Sequence, residues 1–307
     1  MDFLDIFQLM LGLFIPMSIG FFMYKTRMVD KNFTKGVSKL LYNVSLPCSI
    51  LQSMLVKIPL KELVKSVSLP LISVVVIFLG FLLAKLVAPL IEKDKRNHGL
   101  IWFSFLFSNF TFTSYPILEN LYGSEAVFYA SIFNLGMFLG VLTIGAYSVK
   151  KSSKNDADCS FSFKDLFSVP FFALLLGMIL LFIPVTFPKF ITTSIASLGA
   201  TTTPLGVILT GLVLAKSEKL NLLKLKYYVV SFVRLLFIPL AVVFVLKATG
   251  FTGHMIYVPA IILANPIAVN LVIFSETYEA DTETSASYVL ISSLLSIITL
   301  PIVCCFI

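Results

Sequence analysis

Long apolar runs separated by short polar clusters make up nearly the whole chain. Ten such runs fall near 3–24, 36–56, 66–90, 99–121, 125–147, 167–186, 191–215, 226–248, 255–278 and 284–307. About 20 residues rising ~1.5 Å each cross a hydrocarbon core of ~30 Å. The runs are continuous, whereas barrel strands alternate over ~10 residues, so the pattern predicts membrane helices. The expected fold is an all-α membrane protein with ten transmembrane helices.

The two halves echo one another. Leu46-Pro47 in the second run answers Thr203-Pro204 in the seventh, 157 positions on, and Asn109 in the fourth answers Asn265 in the ninth. Glu119 and Glu276 keep the same spacing. They are expected at symmetric helix ends, as packing or gating contacts. Five helices per repeat is an odd number, so the second repeat enters the membrane inverted. Residues 1–147 then form one five-helix repeat, 148–166 a linker, and 167–307 the inverted repeat. Inverted-repeat transporters bind substrate near the bilayer midplane, where the repeats meet.

The fourth run is polar at its centre. It reads S-N-F-T-F-T-S-Y-P from Ser108 to Pro116, and the ninth reads A-N-P-I-A-V-N from Ala264 to Asn270. Asn265-Pro266 has the form of an N-cap followed by a proline in the first helical turn. Inside an apolar run it predicts a helix that breaks and restarts. Non-helical backbone at that depth survives only where protein buries it or a cavity borders it. Two restarted helices would aim positive N-termini at such a cavity and suit a carboxylate. The plainer reading is two proline kinks padded by Ser and Thr.

Asn109, Pro116, Asn265 and Pro266 are therefore the leading substrate-binding candidates, with Ser108 and Asn270 beside them. Ser49 in the second run and Asn134 in the fifth could face the same cavity. Ser285, Ser292, Ser296 and Thr299 form a polar stripe in the tenth. Bonds to backbone or to a neighbouring helix would serve these hydroxyls equally well. Gly136 and Gly140 form a small-xxx-small pair expected to pack closely against another helix.

Charge enters mainly as topology. The formal net charge is +7, and charged residues are only 13% of the chain. With the N-terminus outside, the external side keeps Lys57, Lys61, Lys65, Lys189 and Lys247, and most other Lys and Arg fall at cytoplasmic loops. Positive-inside bias thus puts both termini outside and 148–166 in the cytoplasm. Asp2 and Asp5 at the start argue against a cleaved signal peptide. No nucleic-acid partner is expected.

Arg234 lies about eight residues into the eighth run. Snorkelling to the cytoplasmic face is the favoured reading, and a counter-ion for an anionic substrate the sharper one. Cys48, Cys159, Cys304 and Cys305 show no metal or disulfide spacing. His98 and His254 sit at run ends, and nothing in the sequence marks either as a ligand or catalyst. No metal, no cofactor and no enzymatic chemistry are expected.

At these motifs the chain resembles the auxin efflux carrier family of bacterial permeases and plant PIN-type exporters. The plant P-N-T-L-V-M-G-I-P-L-L is similar to S-N-F-T-F-T-S-Y-P-I-L here, through Asn109 and Pro116. The plant P-Q-G-I-V-P-F-V-F-A-K-E-Y is similar to P-I-A-V-N-L-V-I-F-S-E-T-Y, through Pro266, Phe274 and Glu276. Leu46-Pro47-Cys48-Ser49 and Leu300-Pro301 have counterparts as well. Thr111 and Ser114 stand where bacterial relatives commonly carry glycine, and Ser108 stands where plant relatives carry proline. The resemblance implies crossed, broken helices 4 and 9 and a dimerising scaffold of helices 1, 2, 6 and 7. It also implies a moving domain of helices 3–5 and 8–10, and a small organic-anion substrate. The expected function is a permease or exporter in the cell membrane, driven by membrane potential. The alternatives are a sodium- or proton-coupled organic-acid symporter, and a membrane sensor without transport.

Overall fold

The computed structural model of the protein describes residues 3–55, 66–110, 113–153, 169–183, 187–216 and 224–307. Twelve helices occupy these residues, numbered here in chain order. They are α1 (Phe3–Lys25), α2 (31–54), α3 (Ser68–Ile91), α4 (His98–Leu106), α5 (Ser114–Tyr122), α6 (124–150), α7 (Val169–Phe182), α8 (Lys189–Lys216), α9 (Leu225–Ala248), α10 (His254–Ala264), α11 (Asn270–Thr277) and α12 (Thr282–Cys304). The described residues form no β-strands, only one isolated antiparallel bridge between Ser108 and Ile267.

Helix occupies each of the ten apolar runs, within a few residues of the expected ends. Five helices, α3, α6, α8, α9 and α12, are long and apolar enough to cross a membrane by length and composition. The fourth and ninth runs are each split into two short helices, α4–α5 and α10–α11. The linker's described part, 148–153, begins as the last turn of α6; residues 154–168, with Cys159, lie outside the described residues.

Several helices depart from regular α geometry. Turns of π-helix occupy Leu41–Ser45 in α2, Val141–Gly145 in α6 and Val233–Phe237 in α9. Helix α8 is interrupted at Thr201. There the Ser45 and Thr201 hydroxyls meet at 2.8 Å, and Thr201 Oγ1 donates onward to Leu198 O.

Packing sorts the helices into two groups. Helix α1 packs along α8, and α2 packs on α7 and the first half of α8. The second group holds α3–α6 and α9–α12, in which α3 packs on α4 and α6, α5 on α6, and α9 on α10 and α12. The groups meet where α1 and α8 touch α12, and where α2 and α7 touch α6. The α1–α8 approach is backbone on backbone. A Cβ on Gly20 would lie 2.1 Å from Ile208 O, and one on Gly211 1.9 Å from Met17 O. Only glycine fits both places, as at other close membrane-helix contacts. Gly136 and Gly140 seat α6 on α3 against side chains instead, those of Ser73 and Ile77.

The outer face of α3 is apolar and exposed, with Leu71, Leu86 and Leu90 among its outward residues. Helix α6 is mostly buried. At the rim, Lys226 at the start of α9 pairs with Glu92 just past α3. Burial pushes the Glu92 carboxyl up. The Lys226 ammonium and the backbone N–H groups of Asp94 and Lys93 outweigh it and hold the carboxyl below its ordinary value.

Candidate functional site

Two helix breaks meet inside the second group. The first runs from Phe107 to Thr113, with 111–112 outside the described residues, and the second from Asn265 to Val269. They cross through their main chains. Asn109 N–H donates to Pro266 O at 2.7 Å, and Ala268 N–H donates to Phe107 O at 3.1 Å. Proline explains part of this, since Pro266 has no N–H to continue a helix and offers a carbonyl instead.

Buried backbone polar groups need partners, and the breaks find them nearby. Thr113 closes the first break on Asn109 O, through N–H at 3.3 Å and Oγ1 at 2.7 Å. Asn134 Nδ2 donates to Tyr115 Oη at 3.1 Å and reaches Phe110 O at 3.5 Å. In the second break, Ser292 Oγ accepts from Ile267 N–H at 3.0 Å. Asn265 Nδ2 donates to Ile261 O at 2.8 Å and to Ser114 Oγ at 2.9 Å. Asn265 thus ties the end of α10 to the start of α5.

The restart differs from the expected one. Asn265 does not open a helix at Pro266; it closes α10, and α11 begins at Asn270. Asn265 is extended, and the pairing of Pro266 O and Ala268 N–H with the other break holds the chain out of helix until Val269 turns into α11, which overrides the local cap signal.

Arg234 departs from expectation more sharply. It does not snorkel. The side chain is fully buried, and Nη1 donates to Leu263 O at 2.7 Å, at the C-terminal end of α10. Its place on the π-helical turn of α9 faces it toward the protein interior.

Asn109 lines a narrow crevice on each side of the crossing. The first has a volume of about 20 Å³ and lies against α1 and α8, with Phe14, Met17 and Thr210 on one wall. Thr113, Pro266, Val269, Ser293 and Ser296 complete it. The second, about 10 Å³, is bounded by Leu46 of α2, Ser108, Phe110, Phe138, Ala268 and Asn270. Ser108 Oγ is buried there without a hydrogen-bond partner. A water needs ~10–15 Å³, so each crevice has room for about one.

The candidates divide accordingly. Asn109, Pro266, Ser108 and Asn270 line the crevices. Asn265 and Asn134 are wholly buried behind them, each with an unpartnered Oδ1. Ser49 lies against Gly199 of α8, in the other helix group. Pro116 falls in the first turn of α5, and its side chain lies outside the described residues, as does that of Glu276. Thr210 and Ser293 went unnoticed in the sequence. Each is one hydroxyl among several on its helix, and only the α1–α8–α12 junction brings them to the crossing.

A larger cavity, about 450 Å³, lies elsewhere, between α3 and α9. Leu71, Val75, Phe237 and Val245 line it and face outward, so it has nothing to hold a carboxylate. No group of three or more His, Cys, Asp or Glu that could hold a metal occurs among the described residues.

Crossed half-helices bordered by polar side chains inside an apolar bundle agree with the motifs read at Asn109 and Asn265. Residues 5–304 match the family described as membrane transport protein. The chain belongs to that family. It is the auxin efflux carrier and PIN-like family of the motif resemblance. A search of curated proteins finds no match. As a member of the membrane transport family, the chain is a multi-pass membrane protein of transporter type.

Proposed function

We propose that the chain carries a small organic anion, such as a carboxylate, across the cell membrane by elevator-like alternating access. The observation behind this reading is the position of Asn109. It lies at the helix crossing, between two crevices, each walled on its far side by the other helix group. Both are too small for an organic acid, so binding requires the groups to separate. Helices α1, α2, α7 and α8 serve as the scaffold and the homodimer surface, and α3–α6 with α9–α12 move.

Two inverted five-helix repeats, 1–147 and 167–307 about the 148–166 linker, account for the paired architecture. Helices α3 and α9 keep a spacing of 157 at both ends. Gly20 on α1 and Gly177 on α7 keep it as well, and each packs tightly on the opposite repeat. The lysine asymmetry favours external termini.

The N-termini of α5 and α11 flank the crossing, and half-helix N-termini favour negative charge. None of the residues lining the first crevice is a carboxylate, which favours uncoupled transport over sodium or proton symport. A monoanion leaving a cell at −100 mV gains ~2.3 kcal/mol, which sustains roughly a 50-fold gradient.

The test is flux into proteoliposomes of labelled indole-3-acetate, malate and a wider acid panel, with imposed potential and with or without sodium. Potential-dependent, sodium-independent flux of at least one acid is expected. Flux that needs sodium or a proton gradient would favour the symport alternative. Flux of none would reject the organic-anion reading.

A further inference from the structure

Arg234 is the one charged side chain among the described residues that is buried. An arginine keeps its proton in protein interiors, so this is a fixed positive charge. Burying such a charge is costly unless it is paired. No carboxylate pairs with it among the described residues, and Nε and Nη2 have no hydrogen-bond partner. Its one bond goes to Leu263 O, in the last turn of α10.

That carbonyl belongs to the negative end of a half-helix. The last four carbonyls of a helix lack intrahelical partners and carry roughly half a negative charge between them. Four helix ends gather at the crossing: the C-termini of α4 and α10 are negative, and the N-termini of α5 and α11 positive. A cation on the end of α10 more than cancels one of the two negative ends. The crossing is left electropositive.

Among the described residues, the first half of the chain has no such device. At the spacing of 157 that relates α3 to α9, the mate of Arg234 is Ile77, a buried apolar residue. Helix α3 is α-helical throughout, without the π turn that carries Arg234. Lys85, farther along α3, lies over the rings of Phe81 and Trp102 on the exposed side. A helix that packs on its half-helix without an arginine in one repeat does not need one in the other for folding. π-Turns within helices recur at functional positions.

We propose that Arg234 is the fixed counter-charge of the crossed-helix site, and that it selects a transported ligand bearing one negative charge. The inference rests on the transport reading above and adds the ligand's charge and the voltage-sensitive step. With a monoanion bound, the moving group is neutral at its centre and crosses the membrane field without electrical work. Empty, it carries the Arg234 charge. An inside-negative potential then draws the empty group to its inward-facing position, ready to load from the cytoplasm. Voltage acts on the return step, and export follows.

The experiment needs no ligand. The full chain, in planar bilayers, is subjected to voltage jumps in substrate-free buffer, and transient charge movement is recorded. Wild-type protein is expected to move up to about one elementary charge per protomer. Arg234→Lys should retain the transient. Arg234→Met, which supplies an apolar side chain as at Ile77, should abolish it, with Arg234→Gln as a second neutral variant should Met fail to give monodisperse protein. A transient that persists in a folded neutral variant would overturn the assignment, and so would its absence from wild-type protein. Indole-3-acetate and malate flux in vesicles from the same preparations judges the transport reading separately. Flux without a transient would sink the Arg234 proposal and leave transport standing. An Arg234-dependent transient without flux of either acid would support the moving charge and count against those acids as cargo.

Discussion

Ser45 donates its hydroxyl proton to Thr201 Oγ1 across 2.8 Å, because the Thr201 proton is already directed to Leu198 O. The two residues stand at the end of the π turn in α2 and at the interruption in α8. The bond joins the irregular middles of α2 and α8. A neutral bond of this kind contributes ~0.5–1.5 kcal/mol. Ser45→Ala and Thr201→Ala should therefore show a coupling energy of that size in a thermal-unfolding double-mutant cycle. Additive losses would mean that the hydroxyls act independently.

Asn109 and Asn265 should give different mutant signatures. Asn109→Ala removes a polar group from the crevices and leaves the main-chain crossing intact. Losing a bond to a charged ligand costs ~1.5–3 kcal/mol, so affinity for a transported acid should fall roughly ten- to a hundredfold with little change in melting temperature. Asn265→Ala removes the bonds to Ile261 O and Ser114 Oγ, about 1–3 kcal/mol together, and should lower the melting temperature first. Calorimetry and unfolding on the purified variants separate the two. Equal signatures would contradict the division between lining and support.

The Glu92–Lys226 pair predicts a pH dependence. The folded carboxyl sits below its ordinary value, about 4.3. Its contribution is fully present above that value and is lost as pH falls through the lower folded value. Glu92→Gln should melt below wild type near neutral pH, and the gap should close on acidification. A gap that persists in acid would assign the loss to packing.

Topology is testable with two cysteines. An impermeant thiol reagent applied to intact cells should label exposed Cys305 and spare Cys159. The reverse pattern would invert the assignment of both termini.

Gly20→Ala puts a methyl group where Ile208 O already stands. Overpacking of this kind costs ~1–3 kcal/mol. The variant should be less stable, whereas Gly12→Ala, on the same helix with no atom within 4 Å of its Cβ position, should be neutral or better. Comparing the two melting curves isolates the α1–α8 contact from helix propensity.

The helices were legible because membrane depth fixes their length and apolar runs mark them without long-range information. The breaks were legible from proline and asparagine in runs that should have had neither. The restart at Asn270 was not, since Pro266 O and Ala268 N–H are held by residues more than 150 positions away. Nor was the burial of Arg234. Counting residues from the run's edge gives its depth, but a π turn and a half-helix end decide which way it faces. Ser49 reads as a residue that could face the substrate cavity, and Gly199 of α8 is what it meets.

The crossing between Asn109 and Pro266 is made by peptide groups, which no substitution but one to proline deletes. Side chains around it are free to vary in size and polarity while the junction keeps its shape. A chain built this way can exchange the residues that border its crevices one at a time without first losing the junction that holds its half-helices together, so inherited variation can explore new chemistry around an unchanged frame.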